Sequence, residues 1–132
     1  MGEDKMVDYI TTVRLLERES RRPLGNVKVE LFDRDEHSPD DSLGVARTNK
    51  FGEATFRYST RDFADSPLGG DDSRIKLRNQ DTVPDLYPVV YNGVGEVVIS
   101  KRDEATQNNA ALHILVLIDA ALVQQHQLNA EA

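Results

Sequence analysis

The sequence predicts an all-β protein, an antiparallel Greek-key-type β-sandwich of seven or eight strands with at most one short helix. Three observations predict it. Apolar and polar residues alternate with a period of two in several short segments, turn-forming residues separate these segments at short intervals, and no long helical periodicity lies between them. A chain of this pattern builds two facing sheets around one core.

The alternation is clearest in residues 53–59, where every second residue is apolar. Residues 112–118 are apolar on both faces, which is typical of a strand in the middle of a sheet. Pro88 lacks a ladder donor and indicates an edge position or a bulge. The predicted strands cover residues 9–17, 27–31, 43–48, 53–59, 86–91, 96–100 and 112–118. The residues expected in the core are Val13, Leu15, Val27, Val29, Leu31, Phe56, Val89, Val98, Ile114 and Val116.

Turn signals agree with these strands. Residues 22–26 contain proline and glycine and separate the first two strands. Residues 49–52, Asn-Lys-Phe-Gly, have a type I turn signature, and we expect Gly52 to take a positive φ there. Residues 92–95, Asn-Gly-Val-Gly, give a hairpin signal of the same kind.

The length of 132 residues fits one domain. We expect a core domain at residues 8–119, with flexible or frayed tails at 1–7 and 120–132. We expect residues 60–84 to be an insertion between core strands. Residues 74–78 within it either add a strand or belong to a long loop.

Composition excludes several classes of function. Acidic residues number 23 against 16 basic ones, and the net charge of −7 argues against nucleic acid and anionic membrane as partners. With no cysteine, the chain has no disulfide, zinc-thiolate site or thiol nucleophile. No apolar run reaches the roughly 18 residues that span a bilayer, and the acidic first residues are unlike a secretory signal. We therefore expect a cytoplasmic protein without membrane insertion.

Four segments resemble transthyretin-like (prealbumin-like) and carboxypeptidase-regulatory-like domains. They are the strand–turn–strand over residues 13–32 with Arg-Pro-Leu-Gly-Asn at its turn, the Asp-Arg-Asp and Asp-Asp-Ser-Leu-Gly strings within residues 33–44, Thr-Asn-Lys-Phe-Gly-Glu at 48–53, and Pro-Asp-Leu-Tyr-Pro-Val-Val-Tyr at 84–91. The resemblance implies a transthyretin-like sandwich. It does not imply one function, because this fold hosts carriers, a hydrolase, regulatory domains and adhesin spacers.

The hydrolase branch of that family acts on 5-hydroxyisourate and uses a C-terminal Tyr-Arg-Gly-Ser motif and a histidine on the first strand. This chain has neither feature. We interpret His37 as a solvated loop residue, His113 as a structural residue at a strand end and His126 as a surface residue. Since no nucleophile or cofactor motif occurs either, we predict no enzyme activity, no catalytic residue and no cofactor.

Five carboxylates lie within nine residues at a strand end: Asp33, Asp35, Glu36, Asp40 and Asp41. We interpret this segment as a solvated acidic loop without a metal, in which Asp33 or Asp41 hydrogen-bonds nearby backbone amides. The alternative is a calcium site formed by Asp33, Asp35, Asp40 and Asp41, as in C2-like modules, because calcium prefers clustered oxygen ligands.

The predicted function is that of a non-catalytic binding or structural module acting through protein or small-ligand contacts. A C2-like calcium-binding module that uses residues 33–41 is the alternative. A protein is the expected partner. Carriers of the resembled family bind ligands in a channel between subunits, which leaves a homo-oligomer open here.

Overall fold

The computed structural model describes residues 8–35, 39–59, 85–107 and 113–128. This part of the chain forms strands, one 3-10 helix at Arg102–Gln107 and one α-helix, α1, at Ala120–His126. The strands are β1 (Asp8–Glu17), β2 (Lys28–Asp33), β3 (Asp41–Arg47), β4 (Glu53–Ser59), β5 (Leu86–Tyr91), β6 (Val97–Ser100) and β7 (His113–Ile118).

The strands form two sheets, which confirms the predicted all-β sandwich. One sheet has three strands in the order β4-β1-β7, and the other has four in the order β3-β2-β5-β6. The described pairings are antiparallel except that of β1 with β7, which is parallel. The expectation of a purely antiparallel sandwich was therefore wrong at this pairing. A parallel pair needs a crossover, and here the chain passes through the four-stranded sheet between the two strands.

Alternating residues of both sheets fill the space between them. Of the ten residues expected in the core, nine are buried and Val98 is half-buried against the core. Val89 belongs to a smaller cluster on the outer face of the four-stranded sheet, where it packs with Tyr87 and with Ala105 of the 3-10 helix. The period-two pattern therefore identified which side chains are buried, although not which face of the sheet buries them.

The prediction that residues 112–118 form a central strand was wrong. Within the described residues β7 lies at the edge of the three-stranded sheet, and its inward residues Ile114 and Val116 are buried while Leu115 is 54% exposed. Leu115 pairs with Arg14, whose side chain is also on the outer face. A single exposed apolar side chain is common on protein surfaces. The apolar composition of residues 112–118 therefore did not require that both faces of the strand be buried.

Pro88 lies on β5, an inner strand, where it pairs with Leu31 of β2. Of the two expected settings, the edge position was thus wrong, while β5 does have an irregularity in its register with β6, between Val90 and Tyr91. The Pro88 carbonyl accepts a hydrogen bond from the Lys101 amide at 3.1 Å. The N–H and C=O of one strand residue point to the same neighbour, so the donor that proline lacks faces the chain just past the end of β6. The pairing of β5 with β2 therefore loses no hydrogen bond at Pro88.

Residues 120–128 of the tail, which was expected to be flexible or frayed, form α1 and pack against the core. Val123 of α1 and Leu128 are buried in the main core. The Gln127 backbone takes a left-handed conformation that ends the helix and turns Leu128 inward. The extra strand considered at residues 74–78 lies outside the described residues.

Strand register defines two ends of the sandwich. Asp33 pairs with Asp41 and Leu86, so the turn after β2 and the start of β5 meet at one end, here called the acidic end. Lys28 pairs with Arg47 and Tyr91, which brings residues 25–26 and the turns after β3 and β5 together at the other end, here called the hairpin end.

Candidate functional site

At the acidic end, Asp40 is held by hydrogen bonds from two side chains. The Arg102 guanidinium donates to both of its oxygens, at 2.6 and 3.1 Å, and the Tyr87 hydroxyl donates at 2.5 Å. The Asp35 amide adds a fourth bond at 2.9 Å. The Arg102 hydrogen bond lowers the pKa of Asp40 to about 2. This carboxylate therefore ties the loop after β2 to the start of the 3-10 helix.

Asp33 has the opposite electrostatic situation. Its side chain is buried at the end of β2, and Oδ1 accepts a hydrogen bond from the Asp85 amide at 2.9 Å. Burial, together with the smaller effect of the neighbouring charges of Asp41, Asp85 and Asp35, raises the pKa of Asp33 to about 7, although the amide hydrogen bond from Asp85 acts in the other direction. Asp33 bonds a backbone amide as expected, but the amide belongs to Asp85, 52 positions along the chain, and Asp33 is buried, so the expectation of a solvated side chain was wrong here.

The four residues of the calcium alternative thus lie near one another but do different things. Asp40 is paired with Arg102, and the pKa of Asp33 is raised to about 7, so Asp33 is only partly ionised near neutral pH. In the described part of the chain, no group of three or more His, Cys, Asp or Glu side chains is arranged to hold a metal ion.

The histidines are dispersed. His113 is exposed at the start of β7, where it pairs with Thr12. His126 is half-buried on α1, and its Nδ1 accepts a hydrogen bond from the Asn92 amide at 3.0 Å. His37 lies outside the described residues.

The outer face of the four-stranded sheet carries aromatic residues. Phe32 and Tyr87 stack with ring centroids 5.3 Å apart. Tyr91 donates its hydroxyl to Glu30 at 2.7 Å, and the Ser42 hydroxyl donates to the other oxygen of Glu30 at 2.7 Å. Burial and the Glu30 carboxylate raise the pKa of Tyr91 to about 12. The ring of Tyr91 is therefore fixed and neutral at physiological pH.

The hairpin end is built from two turns with the same design, Asn-Lys-Phe-Gly-Glu at residues 49–53 and Asn-Gly-Val-Gly-Glu at 92–96. In each turn the asparagine side-chain oxygen accepts hydrogen bonds from the amides two and four residues later, at 2.8–3.0 Å. Each fourth-position glycine has a positive φ, 80° at Gly52 and 89° at Gly95. The prediction for Gly52 is confirmed.

These turns hold one apolar side chain each out in solvent. Phe51 is 55% exposed and Val94 is 80% exposed. The Lys50 ammonium group lies 5.5 Å from the Phe51 ring centroid.

A cavity of about 170 Å³ lies at the hairpin end between the second turn, the start of β2 and the chain that follows α1. Its walls are Gly25, Asn26, Val27, Lys28, Arg47, Tyr91, Asn92, Gly93, Gln127 and Leu128. These residues include two cationic side chains, three amides and an aromatic ring, but no carboxylate. The charged residues of the cavity lining are thus all positive, although the chain as a whole has a net charge of −7.

Neither cation of the cavity is neutralised by a carboxylate within the described residues. Lys28 places its ammonium group 5.0 Å from the centroid of the Tyr91 ring, and Arg47 donates to the Asn26 carbonyl at 3.3 Å. The nearby carboxylates of Glu30 and Glu96 accept hydrogen bonds from other side chains, namely Tyr91 and Asn92. Among the described residues, the two positive charges of the cavity therefore have no carboxylate counter-ion.

Sequence reasoning missed this cavity. Its residues come from four separate segments, and the buried position of Leu128 depends on a tail that was expected to be frayed. One signal was present, because the Asn-x-apolar-Gly-Glu string occurs twice, after β3 and after β5. This repeat predicts two turns of the same design. Because Lys28 at the start of β2 pairs with both Arg47 and Tyr91, the turns that follow these two residues lie at the same end of the sandwich.

No protein-family model matches the chain, and no curated protein matches it. A solved 9R-lipoxygenase from Cyanothece PCC8801 aligns over 84% of this chain and 16% of its own, with 22% identity and a TM-score of 0.47. A solved (S)-allantoin synthase aligns over 67% of this chain and 27% of its own, with 13% identity and a TM-score of 0.39. The chain thus spans a small part of either protein, and these alignments assign it no function.

The described residues contain no helix of the length and apolar character needed to cross a membrane.

Proposed function

We propose that this chain is a non-catalytic binding module that acts through a small-ligand contact in the cavity of the hairpin end. The single observation that carries the proposal is the cavity itself, whose lining includes cationic, amide and aromatic groups. Binding sites combine apolar surface with placed polar groups, and this cavity joins Val27, Tyr91 and Leu128 to a larger set of cationic and amide groups. Its volume is below the range of about 300–1,000 Å³ that suits drug-sized ligands, so the ligand is small.

The backbone around the cavity supports this function because hydrogen bonds hold it in place. Asn92 fixes the second turn through its side-chain oxygen, and its amide nitrogen bonds both Glu96 and His126 at 3.0 Å. The Thr48 hydroxyl accepts from the Val27 amide at 2.9 Å and donates to the Leu24 carbonyl at 2.6 Å. A preformed site avoids part of the entropic cost of ordering on binding.

The calcium alternative has less support. It needs Asp40 and Asp33 as ligands, and Asp40 would first have to release the Arg102 guanidinium. Assignment to the transthyretin-like family likewise remains a proposal, supported by the four sequence segments and by a two-sheet sandwich.

A steric variant tests the proposed site. Gly93 lines the cavity, and a Cβ built on it meets no atom within 4 Å, so Gly93→Phe adds a large side chain to the cavity lining without a clash at its own position. We expect members of a panel of small carboxylates, phosphates, amides and alcohols to raise the melting temperature of the parent chain and not of this variant. If the panel gives equal shifts for both proteins, or none for either, the cavity is not a binding site.

A further inference from the structure

The ligand class follows from the charges of the cavity. Lys28 and Arg47 are cross-strand neighbours on β2 and β3, so their charged groups reach the same space from adjacent strands. A ligand anion placed there would gain charge-assisted hydrogen bonds, which are shorter and stronger than neutral ones. Arginine also offers paired donors that match the geometry of a carboxylate or a phosphate.

The rest of the cavity is apolar or amide in character. Val27 and Leu128 are buried residues whose atoms form part of its wall, and Tyr91 contributes an aromatic ring held in place by Glu30. These groups favour a small apolar body next to the anionic group, because burying it removes apolar surface from water. The side-chain amides of Asn26 and Gln127 complete the rim.

We propose that the cavity binds a small organic anion, a carboxylate or phosphate group on a compact aromatic or aliphatic body, with Lys28 and Arg47 contacting the anionic group and Tyr91 contacting the body. This proposal rests on the proposed function and narrows it to one ligand chemistry.

Titration calorimetry with four probes tests it: benzoate, its neutral analogue benzamide, phenyl phosphate and inorganic phosphate. We expect benzoate or phenyl phosphate to bind the parent chain at least about tenfold more tightly than benzamide, since one charge-assisted contact is worth about that factor. Lys28→Met and Arg47→Met should each weaken that anion about tenfold. Lys50→Met is the matched control, because Lys50 lies at the same end but does not line the cavity, and it should change affinity less than twofold.

The possible failures are distinguishable. If benzamide binds as tightly as benzoate and competes for a site that Gly93→Phe closes, the anion assignment is wrong while the binding function stands. If the Met variants and the Lys50→Met control weaken benzoate equally, the effect is general charge attraction and the assignment is again wrong. If no probe binds and Gly93→Phe behaves as the parent chain, both proposals fail. A preference for benzoate over phenyl phosphate, or the reverse, identifies the anionic group, and tight binding of inorganic phosphate alone would contradict the role of the apolar body.

Discussion

The two ends of the sandwich treat charge in opposite ways. At the acidic end, Asp40 is hydrogen-bonded by Arg102 and Tyr87, and Asp33 is buried with a raised pKa. At the hairpin end, Lys28 and Arg47 line a cavity and have no carboxylate partner among the described residues. Asp33 and Asp40, which belong to the conspicuous acidic cluster of the sequence, make hydrogen bonds that stabilise the fold. The less conspicuous cations Lys28 and Arg47 are the residues that we propose contact a ligand.

The largest expected effect distinguishes the two turns of the hairpin end. A Cβ on Gly52 would lie 2.5 Å from the Leu15 carbonyl oxygen, whereas a Cβ on Gly95 meets no atom within 4 Å, although both residues have similar positive φ values. Gly52→Ala should therefore cost about 3 kcal/mol or more, and Gly95→Ala about 1–2 kcal/mol from backbone strain alone. Urea unfolding of the two variants measures this difference. Equal costs would mean that the first turn is not packed against β1 as described.

The pH dependence of stability tests the buried state of Asp33. Because its folded pKa of about 7 lies above the usual value of 3.8, the folded chain binds more protons than the unfolded chain between these values. Stability from this group is full below pH 4 and is lost as the pH rises through about 7. Between pH 5 and pH 8, the parent chain should lose about 1–3 kcal/mol more than Asp33→Asn does, allowing for screening by water. Parallel pH profiles would show that Asp33 is solvated.

The ion pair of Asp40 has a matched control at the hairpin end. The Arg102–Asp40 and Arg18–Asp119 pairs have the same N–O distance of 2.6 Å, but the Asp40 side chain is 11% exposed and that of Asp119 is 55% exposed. Asp40→Asn should cost about 1–2 kcal/mol and Asp119→Asn less than about 0.5 kcal/mol at pH 7. Since the Asp40 pKa is lowered to about 2, its contribution should fade as the pH falls from 4 towards 2. Chemical denaturation at pH 7 and pH 3 checks both expectations, and equal costs would remove the distinction between these two pairs.

The smallest effect is expected at the turn tips. Phe51→Ser and Val94→Ser should each change the free energy of unfolding by less than about 0.5 kcal/mol, since both side chains are mainly in solvent. A thermal melt of each variant is the measurement. A loss of several degrees would assign these tips a packing role and contradict their exposure to solvent.

The parts of this molecule that the sequence predicts are the local ones. The positive φ of Gly52 follows from four consecutive residues, and the burial of Val29 and Leu31 follows from alternation along one strand. The Asp40–Arg102 pair joins residues 62 positions apart, so no local pattern contains it. The cavity depends in addition on Leu128, whose burial is set by tertiary packing that overrides the polar composition of the tail.

Amide chemical-shift mapping with benzoate tests most directly the claim that the hairpin end, and not the acidic end, is the binding surface. We expect the chemical shifts to change at residues 25–28, Arg47, residues 91–93 and residues 127–128. Calcium added to the same sample should move none of these amide signals. Benzoate shifts confined to the acidic end, around Asp33 and Asp40, would contradict this claim.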